Sequence, residues 1–326
     1  MAYAGAAYHS IDPKPGYQFM DEIIKTDNLT KHYGTVRAVD GISLSVKKGE
    51  IYGFLGLNGS GKTTTIRMLL GMIHPTAGSA YLCGEKVSAG SHDLWGNVGY
   101  MVEVPYSYPE LTVRENLEII RRLRGIPDKQ AVDAVIDLLR LNPYCDRKAK
   151  DLSLGNAQRL GLAKALIHKP GILILDEPAN GLDPVGIIEV RELFRDLAFN
   201  HGVTIFISSH ILGEISRIAT RIAIIHQGRL VQEVNADQLG HLLRRRLVVD
   251  TLDNIAAQAR LIQEGYSVDI STDRALEIRS DTAISHPEKI AMLLVAAGLP
   301  PTLLKVEEED LESYFLRAIG INGGLL

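Results

Sequence analysis

Cysteine is almost absent from this chain of 326 residues: only Cys83 and Cys145 occur, far apart in the sequence. Disulfide-rich scaffolds need several closely spaced cysteines, and zinc sites need cysteines or histidines at short, paired spacings. The sequence shows neither pattern. It therefore argues against a disulfide scaffold and a zinc site, and it suits a protein of the reducing cytoplasm.

Long hydrophobic runs are also missing. The most apolar stretches, residues 172–175 and 292–299, are far shorter than the roughly 20 residues that a membrane helix needs. The N-terminal segment contains Gly, Pro and Tyr, but no positively charged start followed by an apolar block. We therefore expect residues 1–22 to form a loose tail rather than a signal peptide, and we expect the chain not to cross a bilayer by itself.

The chain has no strong excess of either charge. It carries 35 basic and 39 acidic residues, which gives a formal net charge of -4. Short basic runs occur at residues 121–122 and 244–246, and we interpret them as solvated helix or linker surface. The composition thus gives no reason to predict a nucleic-acid partner.

The sequence does contain a regular alternation of short apolar runs and helical periodicity. Runs with apolar residues on both faces are typical of a sheet covered by helices on both sides, so we predict an α/β fold with a mostly parallel central sheet. The apolar runs lie at residues 51–55, 98–102, 172–175, 204–207 and 221–225. The predicted helices span residues 112–124, 129–139, 157–168, 185–200 and 211–219.

The C-terminal part of the chain has a different composition. Residues 247–306 predict strand, helix, strand, strand, helix and strand, and a last helix is predicted at residues 310–319. The chain is also longer than one hydrophobic core usually serves. We therefore predict a main domain at residues 23–238 and a small α+β domain at residues 239–326, with the linker near residues 232–246.

A phosphate-binding loop is the clearest motif. The segment from Gly56 to Thr63 matches G-x-x-x-x-G-K-[ST] and lies between a predicted strand and a predicted helix. In such a loop, successive N–H groups and the start of the helix converge on phosphates, a lysine neutralises them, and the last hydroxyl can reach Mg²⁺. The predicted ATP-binding residues here are Gly56, Leu57, Asn58, Gly59, Ser60, Gly61, Lys62, Thr63 and Thr64.

Two carboxylates follow a predicted buried strand. Asp176 and Glu177 end the apolar run at residues 172–175, and an acidic pair leaving a buried strand is costly unless it meets a cation. We predict that Asp176 holds Mg²⁺ together with Thr63. Glu177 is then left near the terminal phosphate as the general base that orients the attacking water, the alternative being a helix-capping role.

Four further motifs make the chain resemble the ABC ATPases. Residues 152–159 read L-S-L-G-N-A-Q-R, similar to that family's L-S-G-G-Q signature, with Leu154 and Asn156 in place of a Gly and a Gln. Residues 180–184, N-G-L-D-P, resemble the family's D-loop, and His210 in S-S-H resembles its switch histidine. Tyr33 matches the aromatic residue that stacks on adenine. The resemblance covers residues 23–238, and the variant signature is similar to that of the drug-resistance and lantibiotic-export branch.

The resemblance implies a P-loop cassette with an antiparallel β subdomain and a helical signature subdomain. It also implies a dimer of head-to-tail subunits, each ATP lying between one subunit's phosphate-binding loop and the other's signature. Ser153 and Gly155 would then serve the neighbour's γ-phosphate, Asp183 would link the two sites, and His210 would hold the water beside Glu177. Both halves of the site are usable, which favours a homodimer over pairing with a related chain.

One residue departs from the family pattern. Most ABC ATPases carry a metal-contacting Gln where this chain has Glu103, and the branch with variant signatures often has Glu there. A carboxylate can still offer an oxygen to a hard cation, so we predict that Glu103 contacts the metal. The alternative is that Glu103 only caps the loop before Pro105. The resemblance further implies that residues 104–111 face the coupling helix of a permease.

The expected partners are a separate membrane permease and a second ATPase subunit. The chain would then sit at the cytoplasmic face of the membrane and power transport, with export favoured by analogy to the branch it resembles. Its C-terminal part resembles extensions of ATPases paired with short six-helix permeases, where dimer stabilisation or regulation is the expected role.

Two alternatives stay open from the sequence: a soluble ABC-type ATPase acting on nucleic acid or ribosomes, and an inactive nucleotide sensor. Translation-type members usually fuse two cassettes and repair-type members insert a long coiled coil, but this chain has one phosphate-binding loop and neither addition. A sensor would be expected to lose Lys62, Glu177 or His210. All three are present, so an active transporter subunit is favoured.

Overall fold

The computed structural model describes residues 21–88, 90, 92–103, 106–271 and 274–321. The tail predicted for residues 1–22 therefore lies outside the described residues, apart from its last two. The chain divides into two compact units, with the boundary between Asp237 and Gln238.

The first unit contains ten strands and seven α-helices among the described residues. The strands are β1 (Glu22–Tyr33), β2 (Val36–Lys47), β3 (Ile51–Leu55), β4 (Ala77–Leu82), β5 (Glu85–Lys86), β6 (Val98–Met101), β7 (Ile172–Asp176), β8 (Thr204–Ser209), β9 (Arg221–His226) and β10 (Arg229–Asn235). The helices are α1 (Lys62–Leu69), α2 (His92–Trp95), α3 (Val113–Leu123), α4 (Gln130–Leu138), α5 (Leu154–Leu166), α6 (Pro184–Phe199) and α7 (Leu212–Ile215). Short 3-10 turns span Asn142–Tyr144, Ala149–Asp151 and Ala236–Gln238.

The central sheet has the strand order β10-β9-β3-β8-β7-β6, and every pairing except β9 with β10 is parallel. Every residue of β3, β7 and β8 is buried, as expected for strands with apolar residues on both faces. The predicted mostly parallel sheet is thus confirmed. Leu55 lies opposite Ser209 and Asp176 opposite Ser208, so the carboxyl ends of three strands meet at one edge.

A second sheet of the first unit is antiparallel, with the order β2-β1-β4-β5. A tight turn joins β1 to β2, pairing Tyr33 with Val36. Gly34 in this turn has φ 58°, a conformation that glycine adopts without steric cost. The turn leaves the Tyr33 ring half-exposed at the end of its strand.

Helices α3, α4 and α5 form the helical part of the first unit. Helix α3 begins with the capping box that its sequence predicts: Glu115 N donates to Thr112 Oγ1 at 3.2 Å, and Thr112 N donates to Glu115 Oε2 at 2.8 Å. The basic pair that follows is not simply solvated surface, because Arg121 is buried and paired with Glu118. Helix α5 begins at Leu154, three residues before its predicted start, because the Ser153 hydroxyl caps it.

The second unit is a small α+β arrangement. Its strands are β11 (Arg245–Thr251), β12 (Val268–Ile270), β13 (Leu276–Ile278) and β14 (Pro301–Glu308), and its helices are α8 (Leu239–Leu242), α9 (Asn254–Gln263), α10 (Asp281–Ser285), α11 (Pro287–Ala296) and α12 (Leu311–Ala318). The antiparallel strand order β12-β13-β11-β14 gives the split β-α-β-β-α-β topology of ferredoxin-like folds. The sequence predicts this order of elements, except for the short helices α8 and α10.

The linker predicted at residues 232–246 contains the boundary between the two units, but it is too long at both ends. Residues 232–235 belong to β10, where Glu233 pairs with Ala223 and Val234 with Ile222, and residues 245–246 begin β11. Strand β10 is an edge strand in which only Val234 is buried, so its sequence is polar enough to resemble a linker.

None of the helices in the described ranges is long and apolar enough to span a membrane.

Candidate functional site

The phosphate-binding loop joins β3 to α1 in a conformation that requires glycine. Gly61 has φ 108°, and a Cβ atom there would lie 2.4 Å from the carbonyl oxygen of Ala38. At Gly56 an added Cβ would lie 2.6 Å from the carbonyl oxygen of Ile225. Among the residues that the structure describes, no side chain caps the start of α1, where Gly61 occupies the N-cap position, and the first N–H groups of the helix are open to a ligand. The loop and the helix start are therefore suited to bind an anion.

Two side chains of this loop also fit an anionic ligand. Lys62 is buried, and its Nζ donates to the carbonyl oxygens of Gly56 at 2.6 Å and Leu57 at 3.2 Å. The Ser60 hydroxyl is buried and has no hydrogen-bond partner within the part of the chain that the structure describes. A buried hydroxyl without a partner is costly unless a ligand meets it, and the Lys62 ammonium supplies positive charge in the same loop. The loop thus fits the phosphates of a nucleotide.

Asp176 ends β7 directly opposite the start of α1. Its Oδ2 accepts a hydrogen bond from Thr63 Oγ1 at 2.7 Å, and its Oδ1 accepts one from the Ser208 hydroxyl. These two contacts fix the carboxylate and place a hydroxyl beside it. Carboxylate and hydroxyl oxygens are the ligands that Mg²⁺ prefers, and Mg²⁺ usually takes only one or two protein ligands beside phosphates and waters. The donor set fits such an ion, although the described residues contain no cluster of three or more His, Cys, Asp or Glu.

Glu177 connects the phosphate-binding loop to the end of β8. Its Oε1 lies 3.3 Å from Lys62 Nζ, and its Oε2 lies 2.9 Å from His210 Nδ1. Its backbone has φ 49°, which is rare for a residue with a side chain. The N–H of Glu177 donates to the hydroxyl of Ser208 at 3.1 Å, which holds this conformation. Such strain is characteristic of functional sites, and here it points the carboxylate at a lysine and a histidine.

The signature and D-loop residues form a second group. Ser153, Gly155 and Asp183 line one open recess of about 650 Å³. Ser153 is exposed at the start of α5, and its hydroxyl accepts from Asn156 N at 3.3 Å. Asp183 is exposed at the start of α6 and accepts from Gly186 N at 2.8 Å. Both side chains therefore lie at helix N-termini, where the peptide dipoles favour a negative ligand.

Tyr33 and Glu103 are two predicted site residues that are not among the contacts described above between the phosphate-binding loop and the pair Asp176 and Glu177. The Tyr33 ring is half-exposed, with Lys31 Nζ at 5.2 Å from its centroid. Glu103 has φ 57° and forms an ion pair with Arg67 at 2.6 Å. Glu103 thus pairs with a cation of its own chain, the Arg67 guanidinium. Its predicted contact with a metal stays a prediction.

Sequence reasoning missed two residues near Glu177. Gln158, on α5, is buried and donates to the carbonyl oxygens of Glu177 and Pro178. Glu214, on α7, lines a small cavity with Glu177; burial raises its pKa, an effect that His210 opposes and Glu177 reinforces. Glu214 could have been found from its position four residues after His210. A buried glutamine in an apolar helix is a weaker signal.

Comparison with known proteins agrees with this geometry. The family model described as ABC transporter matches residues 39–180. The bacitracin transport ATP-binding protein BcrA of Bacillus licheniformis is 42% identical over 92% of this chain and 98% of its own length. The Nod factor export ATP-binding protein I of Burkholderia orbicola (strain AU 1054) is 41% identical over 90% of this chain and 95% of its own length.

Among solved structures, a bacterial ABC transporter cassette in dimeric form is similar with a TM-score of 0.61 and 25% identity, covering 66% of this chain and 99% of that one. High identity over nearly the whole length, together with the site geometry, settles the family. The chain belongs to the ABC transporter family and is an ATP-binding subunit that hydrolyses ATP.

Proposed function

We propose that this chain powers export through a separate membrane permease, at the cytoplasmic face of the membrane, by ATP-driven head-to-tail dimerisation of two copies. The names of the relatives support transport: one serves bacitracin transport and the other Nod factor export. A similar cassette has been solved as a dimer. Permease binding is also supported by Tyr106 and Tyr108, which expose aromatic surface with their rings 6.0 Å apart.

The observation that carries the proposal is the contact of Glu177 with both Lys62 and His210. Glu177 is the general base that orients the attacking water, and His210 holds that water and the γ-phosphate. Lys62 neutralises the β- and γ-phosphates and therefore leaves Glu177 when ATP enters. One carboxylate oxygen of Glu177 lies 3.3 Å from Lys62 Nζ, and the other lies 2.9 Å from His210 Nδ1. This arrangement supports separate roles for the three residues.

The remaining contacts to ATP come from three places. Tyr33 stacks on the adenine, for which its half-exposed ring is available. Thr63 and Asp176 would hold Mg²⁺, which would supply positive charge to neutralise the phosphates. Glu103 would be a third residue for the same ion. The phosphates lie along the loop formed by Gly56, Leu57, Asn58, Gly59, Ser60, Gly61, Lys62, Thr63 and Thr64.

The second half of each ATP site comes from the other subunit. Ser153 and Gly155 of one copy serve the γ-phosphate bound by its neighbour, and Asp183 links the two sites. The exposure of Ser153 at the start of the 13-residue helix α5 supports this role, because the helix dipole adds favourable potential where negative charge develops. A single subunit then holds only half of a site.

The two structural units serve different tasks in this proposal. Residues 23–238 form the ATPase domain, and residues 239–326 regulate or stabilise the dimer. The second unit has its own core, which supports independent folding. That core contains Leu247, Val249, Ala257, Leu261, Leu276, Ile278, Ile290 and Leu294.

The decisive experiment measures ATP hydrolysis of the purified chain against its own concentration, with wild type beside Glu177→Gln. A shared site predicts a rate that rises faster than linearly until the dimer is saturated, and loss of hydrolysis with retained ATP binding in the variant. A monomeric mass under conditions of full activity would refute the head-to-tail dimer. A wild-type rate in Glu177→Gln would refute the role of the base.

A further inference from the structure

Helix α5, whose first turn carries the signature, contacts the segment that follows Glu177 in its own subunit. The Gln158 side chain is only 3% exposed, and its amide nitrogen donates to the carbonyl oxygens of Glu177 at 3.2 Å and Pro178 at 3.0 Å. An amide nitrogen has two hydrogens, so each carbonyl receives one of them. Gln158 thus uses its full donor capacity on the peptide groups directly after the general base.

Two neighbouring contacts hold the same pair of segments together. Arg159 pairs with Glu189 of α6 at 2.7 Å, with both side chains largely buried. Leu154 packs so closely on Gly181 that a Cβ atom at that glycine would lie 2.4 Å from its side chain. The start of α5 is therefore attached at three successive points to residues 177–189.

The conformation of Glu177 makes this attachment chemically relevant. Its φ of 49° is costly for a residue with a side chain, so it persists only if the surroundings enforce it. Ser208 holds the N–H of Glu177, and Gln158 holds its carbonyl group. The direction of the carboxylate depends on both. Without the donors of Gln158, the carbonyl oxygen of Pro178 would lose a buried hydrogen bond, and that of Glu177 would be left with the bond from the Asn180 N–H at 3.2 Å, so the peptide could rotate.

We propose that Gln158 is a positioning residue for ATP hydrolysis, which holds the Glu177 peptide so that the carboxylate faces the attacking water. The inference rests on the proposed role of Glu177 as general base.

The test is a double-mutant cycle on the full-length chain, with wild type, Gln158→Met, Glu177→Gln and the double variant. Methionine keeps the length of the side chain but removes both donors. We expect Gln158→Met to lower kcat about 10- to 100-fold, as small misplacements of catalytic groups do, and to leave KM and the Kd of a fluorescent ATP analogue within about threefold. In the Glu177→Gln background the same change should lower the residual single-turnover rate less than about twofold.

A matched control is Gln258→Met in the second unit, since the Gln258 side chain also donates to a backbone carbonyl, that of Val268 at 3.1 Å. It should lose similar thermal stability and keep kcat. A second variant, Gln158→Glu, has the same shape but presents an acceptor to two carbonyl oxygens, and it should lose at least as much activity as Gln158→Met.

Three results would overturn the positioning role: kcat within about threefold of wild type in Gln158→Met, equal losses in Gln158→Met and Gln258→Met, or the full effect of Gln158→Met in the Glu177→Gln background. A loss of rate that only follows the fraction of unfolded protein in thermal melts also rejects it. Failure of the proposed function looks different, because Glu177→Gln would then hydrolyse ATP at the wild-type rate.

Discussion

Thr63 and Asp176 lie 113 residues apart in the sequence, yet the hydroxyl of Thr63 donates to the carboxylate of Asp176 at 2.7 Å. The contact joins the first turn of α1 to the end of β7. Because the strands of the central sheet are parallel, their carboxyl ends bring the phosphate-binding loop and the acidic pair to one edge. The fold thereby builds a magnesium-type donor pair out of two distant motifs.

The first prediction concerns this donor pair. Thr63→Val keeps the shape of the side chain but removes its oxygen, so we expect the Mg²⁺ concentration for half-maximal hydrolysis to rise about tenfold, or about 1.4 kcal/mol. Binding of ATP without Mg²⁺ should change much less. The matched control is Thr65→Val, because the buried Thr65 hydroxyl donates to a backbone carbonyl, that of Gly61, at 2.9 Å. An unchanged Mg²⁺ dependence in Thr63→Val would count against the site.

Glu103 gives a second prediction. Glu103→Gln breaks the exposed ion pair with Arg67, which contributes at most about 1 kcal/mol to the free energy of unfolding. We expect hydrolysis to be preserved and its Mg²⁺ dependence to change, since an amide oxygen binds a hard cation more weakly than a carboxylate. Arg67→Gln is the control, because it breaks the same pair and leaves the carboxylate in place. Complete loss of nucleotide binding in Glu103→Gln would contradict the prediction.

The third prediction concerns the pH dependence of stability, through His168. Burial lowers the pKa of His168 to about 4, and the positive charge of Arg124 adds to the effect. The unfolded state therefore binds more protons than the folded state between about pH 4 and 6.5, so the free energy of unfolding rises with pH across this window. The shift corresponds to about 3 kcal/mol of the free energy of unfolding, which is lost progressively as the pH falls from about 6.5 to 4. Thermal melts of His168→Gln between about pH 4 and 6.5 should show a smaller rise of stability with pH than wild type. A rise equal to that of wild type would contradict the assignment of this pH dependence to His168.

The sequence predicts the main parts of the fold because these follow short-range rules. An uninterrupted apolar run indicates the buried strand β7. The motifs indicate Lys62 and Asp176 as candidate site residues. The sequence does not predict β10, since an edge strand shows only one buried residue. Gln158 is missed for another reason: its partners are carbonyl groups whose position depends on tertiary packing. Side chains that act on the backbone of a distant segment leave little pattern in the sequence.

The last prediction tests the contact between the signature and the D-loop. Gly181 has φ 78°, and a Cβ atom there would lie 2.4 Å from the side chain of Leu154, so Gly181→Ala meets both backbone strain and a clash. The strain alone is about 1 to 2 kcal/mol. Leu154→Gly removes the clash but not the strain. We therefore expect Gly181→Ala to lower the free energy of unfolding less in the Leu154→Gly background than in wild type, as measured by urea denaturation of all four proteins.

The same four proteins also separate packing from catalysis. If Leu154 and Gly181 hold α5 against the D-loop, the coupling free energy between the two substitutions should differ clearly from zero, at roughly 1 kcal/mol, because residues in direct contact are not additive. The ATP hydrolysis rate should recover in the double variant relative to Gly181→Ala. Additive losses of stability would show that the two side chains do not press on each other in solution, and the attachment of α5 would then depend on Gln158 and Arg159 alone.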